Sequence, residues 1–204
     1  MLNTYIAGQI YAKISFDATV SQKKVVENLS EYLSSPGYSS IFILNGYAGT
    51  GKTTLIAALV QVLRAMNIPC VLLAPTGRAA KVLAQYSGTE AHTIHKRIYR
   101  QRTNADYESK YSLDINREKG CVFIVDETSM LSDSTPDGQI FGSGSLLEDL
   151  ITYVRSGRQC RLILVGDDAQ LPPVGADRSP ALDAAAMRSY GEVVYSSMTD
   201  VVRQ

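Results

Sequence analysis

The stretch Gly46-Tyr47-Ala48-Gly49-Thr50-Gly51-Lys52-Thr53-Thr54 leaves this chain few folds to choose from. It follows the apolar run Ile41-Phe42-Ile43-Leu44 and leads into Leu55-Ile56-Ala57-Ala58-Leu59-Val60, which reads as the start of a helix. Strand, glycine-rich turn and helix is the setting in which G-x-x-x-x-G-K-[ST] forms a phosphate-binding loop. Glycines let backbone N–H groups close around a polyphosphate, and the helix N-terminus adds the positive end of its dipole. The pattern therefore assigns Gly46, Ala48, Gly49, Thr50, Gly51, Lys52, Thr53 and Thr54 to a nucleoside triphosphate. Lys52 would reach the β- and γ-phosphates, and the Thr53 hydroxyl would sit on Mg²⁺. A plain strand-to-helix turn with a surface lysine matches only part of this pattern.

With 204 residues, the chain is long enough for one α/β domain of ordinary size or slightly more. Its 45% hydrophobic and 20% charged residues are those of a soluble globular protein. The net charge is zero, so any surface that attracts a polyanion must be local. Cys70, Cys121 and Cys160 fit no zinc spacing and read as buried thiols in a reducing compartment. No charged segment followed by an apolar one opens the chain, and no run approaches membrane-spanning length. A cytoplasmic protein that makes no use of a membrane is expected.

Around the loop, apolar runs alternate with helical patterns. Residues 1–17 alternate loosely and read as an edge strand or hairpin. Val25, Val26, Leu29 and Leu33 stand at helical spacing, with Thr19 or Ser21 as cap. Gln22, with a carbonyl and an amide, has the pair of groups that would match an adenine edge; alone, such a residue is more often a surface glutamine, and the neighbouring phosphate loop is what favours the adenine reading. The helix after the loop runs to about Met66, and Cys70–Ala74 is a second strand ending in Pro75-Thr76-Gly77-Arg78, before a helix that begins at Ala79. Such strand ends are where open α/β sheets bind ligands. His92 and His95 read as surface histidines on a short helix, with no third ligand to make a metal site. Cys121–Val125 is a third strand, ending in Asp126-Glu127, a pair suited to holding Mg²⁺ through Asp126 and activating water through Glu127. Asp126 as a helix cap is the alternative. Residues 132–145 read as a flexible loop and Leu146–Val154 as a helix. Arg161–Val165 is a fourth strand, and Gln170 in the turn beyond it is placed to bond a γ-phosphate or the attacking water. A short helix near Ala181–Met187 and a strand near Glu192–Tyr195 follow. Together these predict a P-loop fold, a doubly wound parallel sheet with helices on both faces.

Residues 97–119 differ in character. Arg97, Arg100, Arg102, Lys110, Arg117 and Lys119 are interleaved with Tyr99, Tyr107 and Tyr111 around a turn at Thr103–Asp106. Basic residues beside aromatics suit phosphate contact with base stacking. Asp106, Glu108, Asp114 and Glu118 dilute the charge, so a solvated hairpin fits the residues at least as well.

The ordered set GYAGTGKTT, APTGRAAK, TIH, VDETSM, GDDAQLPPVG and VVRQ resembles the RecD-like branch of superfamily 1 DNA helicases, from about Phe16 to the last residue. DETSM departs from the DE-x-QD box of UvrD-type enzymes and, with QLPPVG, points to the group that moves 5′→3′ on single-stranded DNA. The resemblance implies a RecA-like ATP-binding lobe, with ATP and Mg²⁺ as ligands and single-stranded DNA as partner. It implies adenine reading by Gln22, phosphate and metal roles for Lys52, Thr53, Asp126 and Glu127, and a γ-phosphate sensor in Gln170. Pro75, Thr76, Arg78, Thr93 and His95 match segments that touch the DNA strand. The insert at 97–119 stands where relatives carry a β-hairpin pin that splits the duplex.

The resemblance also implies a second motor lobe of the same protein, whose first motif VVRQ resembles, so that residues 1–204 form one lobe and the second is absent. Arg203 becomes a candidate cation on the γ-phosphate. A monomer with weak turnover as an isolated lobe is expected. The helicase part of a conjugative relaxase and an ATP-gated DNA-binding switch remain open as other readings.

Overall fold

The computed structural model describes residues 1–14, 17–103, 109–132, 141–170, 172–173 and 178–201. The chain opens with helix α1 (Leu2–Lys13), not the edge strand or hairpin expected there. Ile6 and Ile10, one helical turn apart, are fully buried against the helices that follow. A lone twelve-residue helix is marginal in water. Burying two isoleucines, at about 1.5–3 kcal/mol each, supplies what propensity does not.

Helix α2 (Val20–Ser34) starts at Thr19, whose hydroxyl accepts from Gln22 N while Gln22 Oε1 accepts from Thr19 N at 2.9 Å. Thr19 rather than Ser21 is therefore the cap, in a reciprocal capping box. Strand β1 (Ile41–Gly46), helix α3 (Lys52–Ala65), strand β2 (Cys70–Ala74) and helix α4 (Gly77–Ser87) come next. Strand β3 (Ala91–Thr93) leads directly into helix α5 (Ile94–Ile98), so His92 lies on a strand and only His95 on a helix.

Strands β4 (Tyr99–Thr103) and β5 (Ser109–Leu113) form a separate antiparallel hairpin. Strand β6 (Val122–Val125), helix α6 (Leu146–Ser156) and strand β7 (Arg161–Gly166) return the chain to the main sheet. Helix α7 (Ala184–Met187), between two 3-10 turns, precedes strand β8 (Val193–Met198).

The main sheet has six parallel strands in the order β3-β2-β6-β7-β1-β8. Central strands β1, β6 and β7 are buried along their whole length, as parallel strands covered on both faces must be. Side chains alternate between two cores. Phe42, Leu44, Ile124 and Val165 face α1, α2 and α3, whereas Ile41, Ile43, Phe123 and Leu164 face α5, α6 and α7. The doubly wound sheet with helices on both faces is thus present. Its C-terminal edge gathers the turns after β1, β2, β3, β6 and β7 on one side of the molecule, which is where such sheets carry their ligand sites.

Candidate nucleotide site at the C-terminal edge of the sheet

The loop between β1 and α3 is built by its own backbone. Gly49 and Gly51 have φ values of 78° and 89°, a region costly for any side-chain-bearing residue. Thr50 is fully buried, and its hydroxyl donates to Tyr47 O at 2.8 Å, drawing the loop closed. Gln22 braces the loop from outside, with Nε2 donating to Thr50 O at 2.9 Å. Both functional atoms of Gln22, which is 2% exposed, are therefore engaged, one in the helix cap and one on the loop. One amide proton is left over for a base.

Lys52 opens α3 and folds its ammonium onto the loop, donating to Gly46 O and to Tyr47 O. Its Nζ lies 4.0 Å from the buried carboxylate of Asp167. Burial pushes the Lys52 pKa down, while Asp167, Asp126, Glu127 and Asp168 push against that shift. The field of four carboxylates therefore favours the charged form of this ammonium, with Asp167 in contact with it.

Asp126 and Glu127 follow β6, two strands from the loop. Asp126 is not a helix cap. Its Oδ1 accepts from the N–H of Glu127 at 2.9 Å, and the short turn beyond has no side-chain cap. Burial, aided by the neighbouring Glu127 charge, raises the Asp126 pKa above the usual carboxylate range. Glu127 has φ 55°, ψ 39°. A non-glycine residue held there costs on the order of 1–3 kcal/mol, a strain that concentrates at functional sites. The chain thus leaves β6 through one strained residue.

The donor set fits a divalent cation. Mg²⁺ takes one or two carboxylates, keeps several waters and draws its remaining ligands from phosphate oxygens. A buried carboxylate beside a second one, with an excess of negative charge over the single lysine, suits that arrangement. No group of three or more His, Cys, Asp or Glu side chains forms a metal site among the described residues.

Beyond β7, Asp167 is 2% exposed and its Oδ1 accepts from Ala169 N at 3.0 Å. Gln170 is exposed, and the Ser129 hydroxyl donates to its Oε1 at 3.3 Å, joining the segment after the acidic pair to the segment after β7. Asn45 fastens the adjacent strand ends, accepting from Asp168 N at 3.0 Å and donating to Tyr195 OH at 2.9 Å. Sequence reasoning did not single out Asp167, Ser129 or Asn45. Signals existed for two of them: an aspartate pair at a strand end, and an asparagine closing an apolar strand. Arg203 lies outside the described residues, as does the turn at 104–106 of the insert.

The residues expected to touch DNA lie together toward the β3 end of the same edge. Ala74 and Thr93 are register partners, which sets Pro75-Thr76 beside Thr93. The hydroxyls of Thr76 and Thr93 both cap helices, accepting from Ala79 N and Lys96 N at 3.2 Å. Arg78 is exposed on the first turn of α4. His95 is half-buried, and burial lowers its pKa below the ordinary histidine value. Asp126 is tied to this group, because its N–H donates to Leu73 O at 2.9 Å.

The hairpin corrects one expectation. Tyr99 and Tyr111 do not stand out to stack bases. Tyr99 is buried with its hydroxyl on Asp149, and Tyr111 stacks on Phe141 with ring centroids 4.4 Å apart. Arg97 pairs with Glu118, and Arg100 with Asp114 at 2.8 Å, so both cations are neutralised locally.

The family model for an AAA domain, AAA_30, matches residues 18–204. The chain is 31% identical over 160 residues to the ATP-dependent RecD2 DNA helicase of Deinococcus radiodurans, a match covering 76% of this chain and 19% of that protein. It is 34% identical over 136 residues to the ATP-dependent DNA helicase dda of Enterobacteria phage T4, covering 64% and 28%. It thus spans 19% and 28% of the length of these two relatives. The crystal structure of Pif1 helicase from Candida albicans aligns with 93% of the chain and 41% of its own, with TM-score 0.53 at 20% identity, a likeness of fold.

Proposed function

Since this chain belongs to the AAA domain family AAA_30, alongside RecD-like helicases, we propose that it is the ATP-binding and ATP-hydrolysing first motor lobe of a 5′→3′ DNA helicase acting on single-stranded DNA. The observation that carries the proposal is the convergence, on one sheet edge, of a closed phosphate loop, a strained acidic pair and the segment bearing Gln170. In this reading Lys52 leaves the Gly46 and Tyr47 carbonyls for the β- and γ-phosphates. Thr53 and Asp126 hold Mg²⁺, which when bound neutralises charge on the phosphate oxygens. Glu127, aimed by its left-handed backbone, orients the attacking water and takes its proton. Gln170 contacts the γ-phosphate and reports its loss through Ser129.

DNA would cross the edge over Pro75, Thr76, Arg78, Thr93 and His95, with the β4–β5 hairpin beside it as the pin that parts the duplex. The fold likeness to a helicase and the shared edge support this path. A second motor lobe in the same protein would close over the nucleotide, with Arg203 as one further cation on the γ-phosphate. We also propose a cytoplasmic, monomeric enzyme of DNA repair or recombination. Its three cysteines are free, as in a reducing compartment, and no helix among the described residues is long and apolar enough to cross a membrane.

The test pairs two variants of the complete protein. Lys52→Ala is expected to weaken triphosphate binding markedly. Glu127→Gln is expected to keep binding while DNA-stimulated ATPase falls by about 10²–10⁴-fold, the usual worth of a positioned base. Near-normal turnover by Glu127→Gln would remove the acidic pair from the reaction.

A further inference from the structure

The hairpin meets the rest of the lobe through one aromatic plate and one buried carboxylate. Phe141 lies at the centre of the plate. Tyr111 of β5 stacks on it, Tyr99 of β4 tilts against it at 5.3 Å, and His95 of α5 meets it edge-on at 5.2 Å. Phe141 is also bound by backbone, because it bridges to Tyr111 in parallel fashion and Gly142 N donates to Tyr111 O at 2.9 Å. The root of β5 is therefore flanked on both sides, by β4 and by Phe141.

Beneath the plate, Asp149 on the first turn of α6 is 3% exposed. The Tyr99 hydroxyl donates to its Oδ2 at 2.6 Å, and Ser143 N donates to the same oxygen at 3.0 Å. A buried carboxylate needs such donors, and it holds them firmly because neither has water to turn to. Burial and the adjacent Asp149 raise the Tyr99 pKa far above its ordinary value, so the phenol stays a proton donor at any working pH. The fit is close: a Cβ at Gly142 would lie 1.9 Å from Asp149 Oδ2.

We propose that Asp149, Tyr99 and Phe141 form a rigid mount that fixes the β4–β5 hairpin, and His95 with it, on the motor lobe. A hairpin of two short strands is at best marginally stable alone. As a wedge against a DNA fork it would bend at its root, and motion of the lobe would be lost. Locked to α6 and α5, it moves as part of the lobe and keeps a constant position relative to the segment that carries His95. Asp149 acts here as a positioning residue, working through Tyr99 and Ser143. The inference rests on the helicase reading, with the hairpin as its pin.

The test uses the complete protein, wild type and with Tyr99→Phe, Phe141→Ala or Asp149→Asn. It measures DNA-stimulated ATPase, duplex unwinding and amide exchange at Tyr111, Gly142 and Ser143. The expected result is faster exchange at those amides, ATPase within about twofold of wild type, and fewer base pairs opened per ATP. Misplacing an active group by about 1 Å can cost on the order of 10²-fold, so a loss of ten- to a hundredfold in unwinding per ATP is expected for Phe141→Ala. Tyr99→Phe, which removes only the hydroxyl, should fall between. Phe141→Tyr, which keeps the stacked ring, should restore most of the coupling. Unchanged unwinding per ATP in Tyr99→Phe and Phe141→Ala, with exchange accelerated, would overturn the mount while leaving the helicase reading in place. A wild-type protein that hydrolyses ATP on DNA but opens no duplex would overturn the helicase reading, and the mount with it.

Discussion

Charge at the proposed DNA edge divides unequally between two residues. Arg78 is exposed and presents a guanidinium, so a phosphate contact through it releases counterions. His95 is half-buried with its pKa lowered, so near pH 7.5 its ring is neutral and its contact is not ionic. Arg78→Ala is therefore expected to reduce the salt dependence of single-stranded DNA binding by about 0.7 in slope. His95→Ala should lower affinity and leave the slope alone. Below the lowered pKa the imidazole gains its proton, and there the wild-type slope should steepen while that of His95→Ala does not. Titrations at several salt concentrations, at pH 7.5 and through a descending pH series, would check this. An equal change of slope for both variants at pH 7.5 would put a charged His95 on the strand. Residue types and spacing announced the positions of Lys52, Asp126 and Glu127, because the chemistry demands those groups. They did not announce Asp149, whose role arises only when α6 is laid under the hairpin.

At the scale of elements, α2 and the phosphate loop are joined by one side chain. Thr19→Ala removes the cap hydroxyl but leaves Gln22 on Thr50 O, so it should cost about 0.5–2 kcal/mol of stability without loss of nucleotide affinity. Gln22→Ala removes the cap partner and the brace together. Melting temperature should fall similarly, and ATP and GTP should lose affinity alike, because what is lost is the loop's shape. Calorimetric titration with both nucleotides checks it, and a loss confined to ATP would return Gln22 to reading the base. This helix was legible because its apolar residues keep one face and its cap has a known signature. Helix α1 was not, because Tyr5, Ile6, Ala7, Ile10 and Tyr11 place apolar groups around most of its circumference. Only packing singles out Ile6 and Ile10 as the buried pair. The hairpin at 97–119 was legible as a turn between basic and aromatic residues, yet whether its tyrosines stack on bases stayed open, because the partner of Tyr111, Phe141, is some thirty residues further along.

The whole lobe has its own core on both faces of the sheet, so residues 1–204 alone are expected to fold and bind Mg-nucleotide. Turnover should be small, since an arginine finger from a closing partner lobe can supply about 10³–10⁵-fold in such reactions. Comparing the ATPase of this chain with that of the complete protein, with and without single-stranded DNA, checks the point; full DNA-stimulated turnover by the single lobe would end the two-lobe reading. Strand order across the sheet also bears on how the molecule is made. Ile41 of β1 pairs on one side with Leu162 and on the other with Val193, so the strand that carries the phosphate loop finds both neighbours only more than a hundred residues later. A ribosome adding about 5–20 residues per second needs on the order of ten seconds between delivering β1 and delivering its first partner. During that interval Ile41, Phe42, Ile43 and Leu44 have no sheet to enter and present an unpaired apolar strand to the cell. The nascent chain is then expected to need protection from aggregation, and the loop gains both sheet neighbours of its strand only once β8 has left the ribosome.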